Sequence, residues 1–196
     1  MSYDCKIVAD SLAENGCRLT TFEITMPRIV LAEHNTHRMF SRNTASSRAI
    51  PSTKFLEAVK NNPFIPERFP KNQSGMSNNE WLEGDEHVAA EAQWLYARDQ
   101  AVKFVENLTT LNVHKQIANR ILEPFMWVTS VTSATDWNNY FAQRCSEFAQ
   151  PEISKIAYMI RDAYNENQPT LVEYGDWHLP YVTQKEKQIF GEDAKY

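Results

Sequence analysis

From Leu19 to Met26 the chain alternates: Phe22, Ile24 and Met26 fall on one side, Thr21, Glu23 and Thr25 on the other. Successive side chains of a pleated strand point to opposite faces, so this period of two belongs to a strand with one face buried. A helix would scatter the same residues around its axis. A different period rules over 86–108, where Val88, Ala92, Leu95, Val102 and Val105 recur at helical spacings and mark an amphipathic helix. The order of the elements around these two segments is that of an α+β fold.

Proline and short polar runs supply the punctuation. Pro27 suits a helix's first turn, where its missing N–H costs nothing, and Ile29, Val30, Ala32, His37 and Phe40 extend that helix to about three turns. Glu33 and His37 share one of its faces, His34 and Arg38 another. The stretch 41–51, rich in serine and arginine, reads as a loop shaped to cradle an anion. The proline- and asparagine-rich stretch 61–79 reads as a long surface loop placed to cover a site. A helix is expected over 113–122, a β-branched and aromatic strand over 125–133, and a helix capped by Asp136 that carries Trp137, Tyr140, Phe141 and Arg144. Pro151 opens a further helix with Ile153, Ile156, Ala157, Ile160 and Ala163 on one face, and from Gln184 the chain reads as a frayed, charged tail. No internal repeat interrupts this order, and one domain over 1–196 is expected.

Composition excludes several function classes. No apolar run reaches the roughly 18 residues a membrane span requires, and the N-terminal stretch lacks a secretory pattern, so a cytoplasmic protein is expected. Three cysteines without CxxC or Cys/His spacing argue against a disulfide framework and a zinc site. A net charge of -5 gives no global pull toward a nucleic acid polymer, so anion binding must be local.

Three polar constellations carry candidate chemistry: Thr36-His37-Arg38 with Ser46 and Arg48, the run from His114 to Arg120, and Asn138-Asn139 with Arg144. Serine hydroxyls and arginine forks are the donors that phosphate oxygens require. The bland alternative pairs the arginines with Glu123, Asp136, Glu147 or Glu152, with Arg120 and Arg144 partly buried on their helices. Cys145, beside Arg144, reads more readily as an inert buried thiol than as a nucleophile.

Thr36-His37-Arg38, seven residues, then Ser46 resembles the signature of the flavin-dependent thymidylate synthases, Arg-His-Arg, seven residues, then Ser. The segment from Thr21 to Pro27 and the run Ala149-Gln-Pro-Glu-Ile153 resemble two further parts of that family, in the same order. The resemblance implies a homotetramer with active sites shared between chains, and methylation of deoxyuridine monophosphate at C5 to give thymidylate. It also implies that methylenetetrahydrofolate gives the carbon, reduced FAD the hydride, and NADPH the electrons for the flavin. By position, His37, Arg38 and Asn139 would hold FAD, Ser46 and Arg48 the nucleotide, Arg120 its phosphate, and Arg144 the pyrimidine base as the catalytic group.

The chain departs from that pattern at defined places. Thr36 stands for the first arginine of the signature, Thr44 for a glutamate, and Glu33 where glutamine is usual; the stretch 11–17 lacks a histidine-bearing motif. Trp177, His178 and Tyr181 could offer a ring surface instead, or simply plug the C-terminal end of the fold. Beside thymidylate synthesis, two readings stay open: another C5-modified pyrimidine nucleotide, methyl or hydroxymethyl, and flavin or nucleotide binding without turnover.

Overall fold

A computed structural model describes residues 1–75 and 80–191. A five-stranded sheet in the order β3-β4-β2-β1-β5 forms its centre. The alternating segment lies in the middle strand, β2 (Arg18–Pro27), which pairs antiparallel with β1 (Asp4–Ala13) on one side and β4 (Trp127–Ala134) on the other. β3 (Ser41–Thr44) closes one edge against β4, and β5 (Thr170–Val172) runs parallel to β1 at the other. The helices are α1 (Leu31–Asn35), α2 (Ser52–Asn61), α3 (Gly84–Thr110), α4 (Lys115–Ala118), α5 (Asn138–Arg144), α6 (Pro151–Glu166) and α7 (Gln184–Phe190).

Two apolar clusters hold these elements. Phe22, Ile24 and Met26 are wholly buried on one face of the sheet, against Trp137 and Tyr140 of the α5 region and the stripe Ile153, Ile156, Ala157 and Ile160 of α6. The second cluster joins Leu56 and Val59 of α2 to Ala101, Val102 and Val105 of α3 and to Leu122, Phe125 and Met126 ahead of β4. The buried stripe of α3 departs from the hydropathy pattern, since Val88 is 65% exposed. Trp94 and Arg98 turn inward instead: the indole N–H donates to Phe64 O at 2.9 Å and Arg98 Nη1 to Val59 O at 3.3 Å. Both side chains have an apolar body with a polar tip that the α2 end can satisfy.

At the other end of the sheet, Asp10 anchors a polar network inside the fold. Its carboxylate accepts from Arg18 Nε (3.0 Å) and Nη2 (2.6 Å), Thr20 Oγ1 (2.8 Å) and Asn167 Nδ2 (2.7 Å). Arg18 also donates to Tyr164 O and lies 3.8 Å from the centre of the Tyr164 ring, so the network ties β1 and β2 to the end of α6.

Several sequence expectations require correction. The helix expected after Pro27 is a 3-10 turn, Arg28–Val30, followed by the five-residue α1, and Pro27 itself still pairs with Trp127 in the sheet. The helix stops because the Thr36 hydroxyl donates to Glu33 O at 2.6 Å and Arg42 Nη1 donates to the carbonyls of His37 and Phe40, which replace helical partners. The serine- and arginine-rich loop begins as strand β3, and the helix expected over 113–122 is the short α4 followed by a 3-10 segment, Asn119–Phe125, that runs through Pro124. Proline removes a donor that an α-helix needs there. The expected loop 61–79 is described to residue 75, with 76–79 outside the described residues. The C-terminal stretch forms α7 over Gln184–Phe190, and 192–196 of the expected tail lie outside the described residues.

Candidate functional site

The signature residues are positioned by His34, which is fully buried beneath them. Its Nε2 lies 3.1 Å from Thr132 Oγ1 on β4, and its ring packs on Phe40 and Tyr140. That anchor fixes α1, and the chain leaving it sets His37 against the same two rings, with centroid distances of 5.5 and 4.8 Å. Arg144, in the last turn of α5, donates its Nε–H to His37 Nε2 at 3.1 Å. His37 is therefore unprotonated at Nε2 and carries its proton on Nδ1. Burial, then the charges of Arg144 and Arg42, lower its pKa and keep it neutral.

With Nε engaged, the one hydrogen bond of the terminal Arg144 nitrogens among the described residues is from Nη2 to Thr36 Oγ1, at 3.5 Å. Thr36, Arg38, Met39, Asp136, Asn139 and Gln143 line a cleft of about 260 Å³ beside His37. Gln143 Nε2 donates to Asn139 Oδ1 at 3.1 Å, and Arg38 projects into the cleft without an ion pair among the described residues. The expected cofactor residues His37, Arg38 and Asn139 thus come together, with Arg144 bonded to His37. Asp136 does act at the start of α5, where its Oδ1 accepts from Asn138 N–H at 2.8 Å.

The expected nucleotide residues form a second group beyond β3. Ser46 and Arg48 are exposed on a loop, with Ser46 Oγ accepting from Arg48 N–H at 3.3 Å and Arg48 Nη2 directed at Gln116 Oε1 at 3.5 Å. Asn119 Nδ2 donates to Ser47 O and Ile50 O, and Lys115 Nζ to Ala49 O, which fastens the loop to α4 and the 3-10 segment. Arg120 is half exposed rather than partly buried, and Nη1 pairs with Glu123 at 2.8 Å. Sequence reasoning had named Glu123 only as a structural partner and had missed Arg28 and Ser47, which reach the same carboxylate.

The remaining candidates lie elsewhere. His178 bridges Ser11 Oγ (2.8 Å) and Thr21 Oγ1 (2.7 Å), so side chains of the sheet hold it, and Tyr181 donates to Glu23 Oε2 at 2.7 Å. Burial raises the Cys145 thiol, the opposite of an activated nucleophile. A larger cavity, about 830 Å³, opens beside the start of α6 and includes Arg68, Trp81, Phe148 and Lys155, but none of the expected site residues. Among the described residues no His/Cys/Asp/Glu group is arranged for a metal, and no helix is long and apolar enough to cross a membrane.

The anchor under the site has a titration consequence. Burial, then His37, Arg42 and Arg144, lower His34 to about 3. Between that value and the ordinary histidine range the unfolded chain binds a proton that the folded chain refuses, so stability falls as pH drops through this window. The expected slope is about one proton, ~1.4 kcal/mol per pH unit. Urea unfolding of the protein and of His34→Gln between pH 7 and 4 checks this: the variant's slope is shallower by about one proton, with the His37 contribution left in place.

A family model described as thymidylate synthase complementing protein matches residues 18–170. Among solved structures, the UMP/dUMP methylase PolB of Streptomyces cacaoi bound with 5-Br UMP aligns with a TM-score of 0.65 at 13% identity, over 85% of this chain and 90% of that one. The same methylase bound with 5-Br dUMP gives 0.64 at 13% identity, over 85% and 91%. No curated protein matches the chain. At this identity the structural likeness establishes the fold, and the family match covers well over half of the sequence.

Proposed function

Since the chain belongs to the thymidylate synthase complementing protein family, we propose that it is an enzyme that methylates C5 of a pyrimidine nucleotide, converting deoxyuridine monophosphate to thymidylate in the cytoplasm. The observation that carries this reading is the hydrogen bond from Arg144 Nε to neutral His37, a residue of the cleft wall, while among the described residues no carboxylate pairs with the arginine fork. A fork at a pyrimidine carbonyl stabilises the negative charge that develops when C5 becomes nucleophilic, with no need for an enzyme thiol. Ser46, Arg48 and Arg120 hold the nucleotide and its phosphate.

The residues fit FAD. Arg38 offers a free cation to a pyrophosphate, Asn139 an amide, and His37 a neutral ring against which the pocket is built. Held there, FAD reduced by NADPH would supply the hydride, and methylenetetrahydrofolate would supply the carbon. The active unit in this reading is a homotetramer with active sites shared between chains. Val88, Tyr96 and Phe104 on α3 and Leu111 just past its end, all more than half exposed, give it apolar surface to bury.

A second reading, action on a related nucleotide or formation of another C5 product, is favoured by the local departures. Thr36 puts a hydroxyl beside Arg144 where the related signature has a guanidinium, and Thr44 Oγ1 binds Ser130 Oγ at 3.0 Å instead of presenting a carboxylate. Purified protein incubated with FAD is expected to be yellow, with a flavin spectrum that changes on adding the nucleotide. No flavin absorbance after soaking counts against both readings.

A further inference from the structure

We infer that Glu123 is a positioning residue that assembles the phosphate-binding half of the site. This inference rests on the proposed nucleotide reading for its ligand, but its geometry is independent of the reaction. One oxygen of Glu123 receives donors from three separate segments: Ser47 Oγ at 2.8 Å, Arg120 Nη1 at 2.8 Å and Arg28 Nη2 at 3.2 Å. Ser47 is almost fully buried, and Glu123 and Arg28 keep only 23% and 14% of their side-chain surface. Charge-assisted bonds in such a site are stronger than the same bonds in water.

The carboxylate does two things there. It offsets the mutual repulsion of Arg28 and Arg120, which would otherwise push the 3-10 segment away from the turn after β2. It also holds Ser47, and through it the neighbouring Ser46 and Arg48, in register with Arg120. Arg120 is not consumed by this contact: a guanidinium has five N–H donors, and Nη1 alone meets Glu123, so the exposed half of the group still faces solvent. Among the described residues Arg28 Nε is buried without a hydrogen-bond partner, so the Arg28 guanidinium depends on Glu123 for its pairing. An anion between the loop and the 3-10 segment would meet donors that are already in place.

The test compares the wild type with Glu123→Gln and Glu123→Ala, using deoxyuridine monophosphate, deoxyuridine and inorganic phosphate as calorimetric probes, with thermal melts to confirm folding. Glu123→Ala is expected to weaken the monophosphate roughly 10- to 100-fold, the range for losing a charge-assisted hydrogen bond. Deoxyuridine binding should be unchanged, and Glu123→Gln, which keeps an acceptor for Ser47, should recover part of the loss. In turnover the effect should fall on KM for the monophosphate rather than on kcat. Equal losses for monophosphate and deoxyuridine, or none in either variant, would overturn the positioning role. Wild-type protein that binds phosphate in a Glu123-dependent way but no pyrimidine nucleotide would leave that role standing and sink the proposed substrate instead.

Discussion

Arg144→Ala is expected to lower kcat by about 10²- to 10³-fold or more, the scale of removing one donor from a charge-stabilising site. The geometry separates this from a folding defect. Among the described residues Arg144 pairs with no carboxylate and is only partly buried, so its removal leaves no buried charge stranded. Among the described residues its hydrogen-bond partners are His37 Nε2 and, at 3.5 Å, Thr36 Oγ1, both neutral, so the guanidinium keeps its full charge for the base that the proposed reading sets against it. Arg144→Lys retains a charge but loses both the fork and the Nε contact, and should recover a minor part of the rate. Steady-state kinetics, with circular dichroism and melting as controls, check both variants. Near-normal kcat in Arg144→Ala would remove Arg144 from the chemistry.

Asp10→Ala is expected to cost about 3–5 kcal/mol of stability, the usual consequence of removing one partner from a buried ion pair. Its side chain is 3% exposed, and Arg18, Thr20 and Asn167 each lose an acceptor. Burial alone would raise the Asp10 pKa, but hydrogen bonds from Arg18, Asn167 and Thr20, with the Arg18 charge, outweigh it and lower the pKa below the usual carboxylate range. A carboxyl with a depressed folded pKa contributes fully above its unfolded pKa and loses that contribution as pH falls through the folded value. The gap between wild type and Asp10→Ala in urea unfolding should thus be widest near neutrality and narrow below about pH 4. A gap independent of pH would mean that packing, and not the charge network, explains the cost.

Much of the fold was legible because strong local periods carried it. Phe22, Ile24 and Met26 identified β2, the stripe from Ile153 to Ile160 identified α6, and Pro151 marked its start. Strands β1 and β5 were not read. A bulge between Ile7 and Ala9 breaks the alternation of β1, and the three residues of β5 exist as a strand only through pairing with residues about 160 positions earlier. The helix after Pro27 was overread because Thr36 and Arg42 take over its carbonyls, a competition that hydropathy does not register.

The site followed the same division. Its signature half was legible through resemblance, and the structure does gather His37, Arg38, Asn139 and Arg144. The Glu123 hub was not legible in the same way, since it links Arg28, Ser47 and Arg120 from three segments. Ser47 lies 76 residues from Glu123 in sequence. No local pattern encodes a contact at that separation.

The most direct test of the central claim is anaerobic incubation of FAD-loaded protein with NADPH, methylenetetrahydrofolate and either deoxyuridine or deoxycytidine monophosphate, with products identified by mass. The account predicts thymidylate from deoxyuridine monophosphate and none from Arg144→Ala. A different C5-modified product would move the assignment to the second reading. Nucleotide that binds yet returns unmodified from every combination would contradict the account and leave a binding protein without turnover.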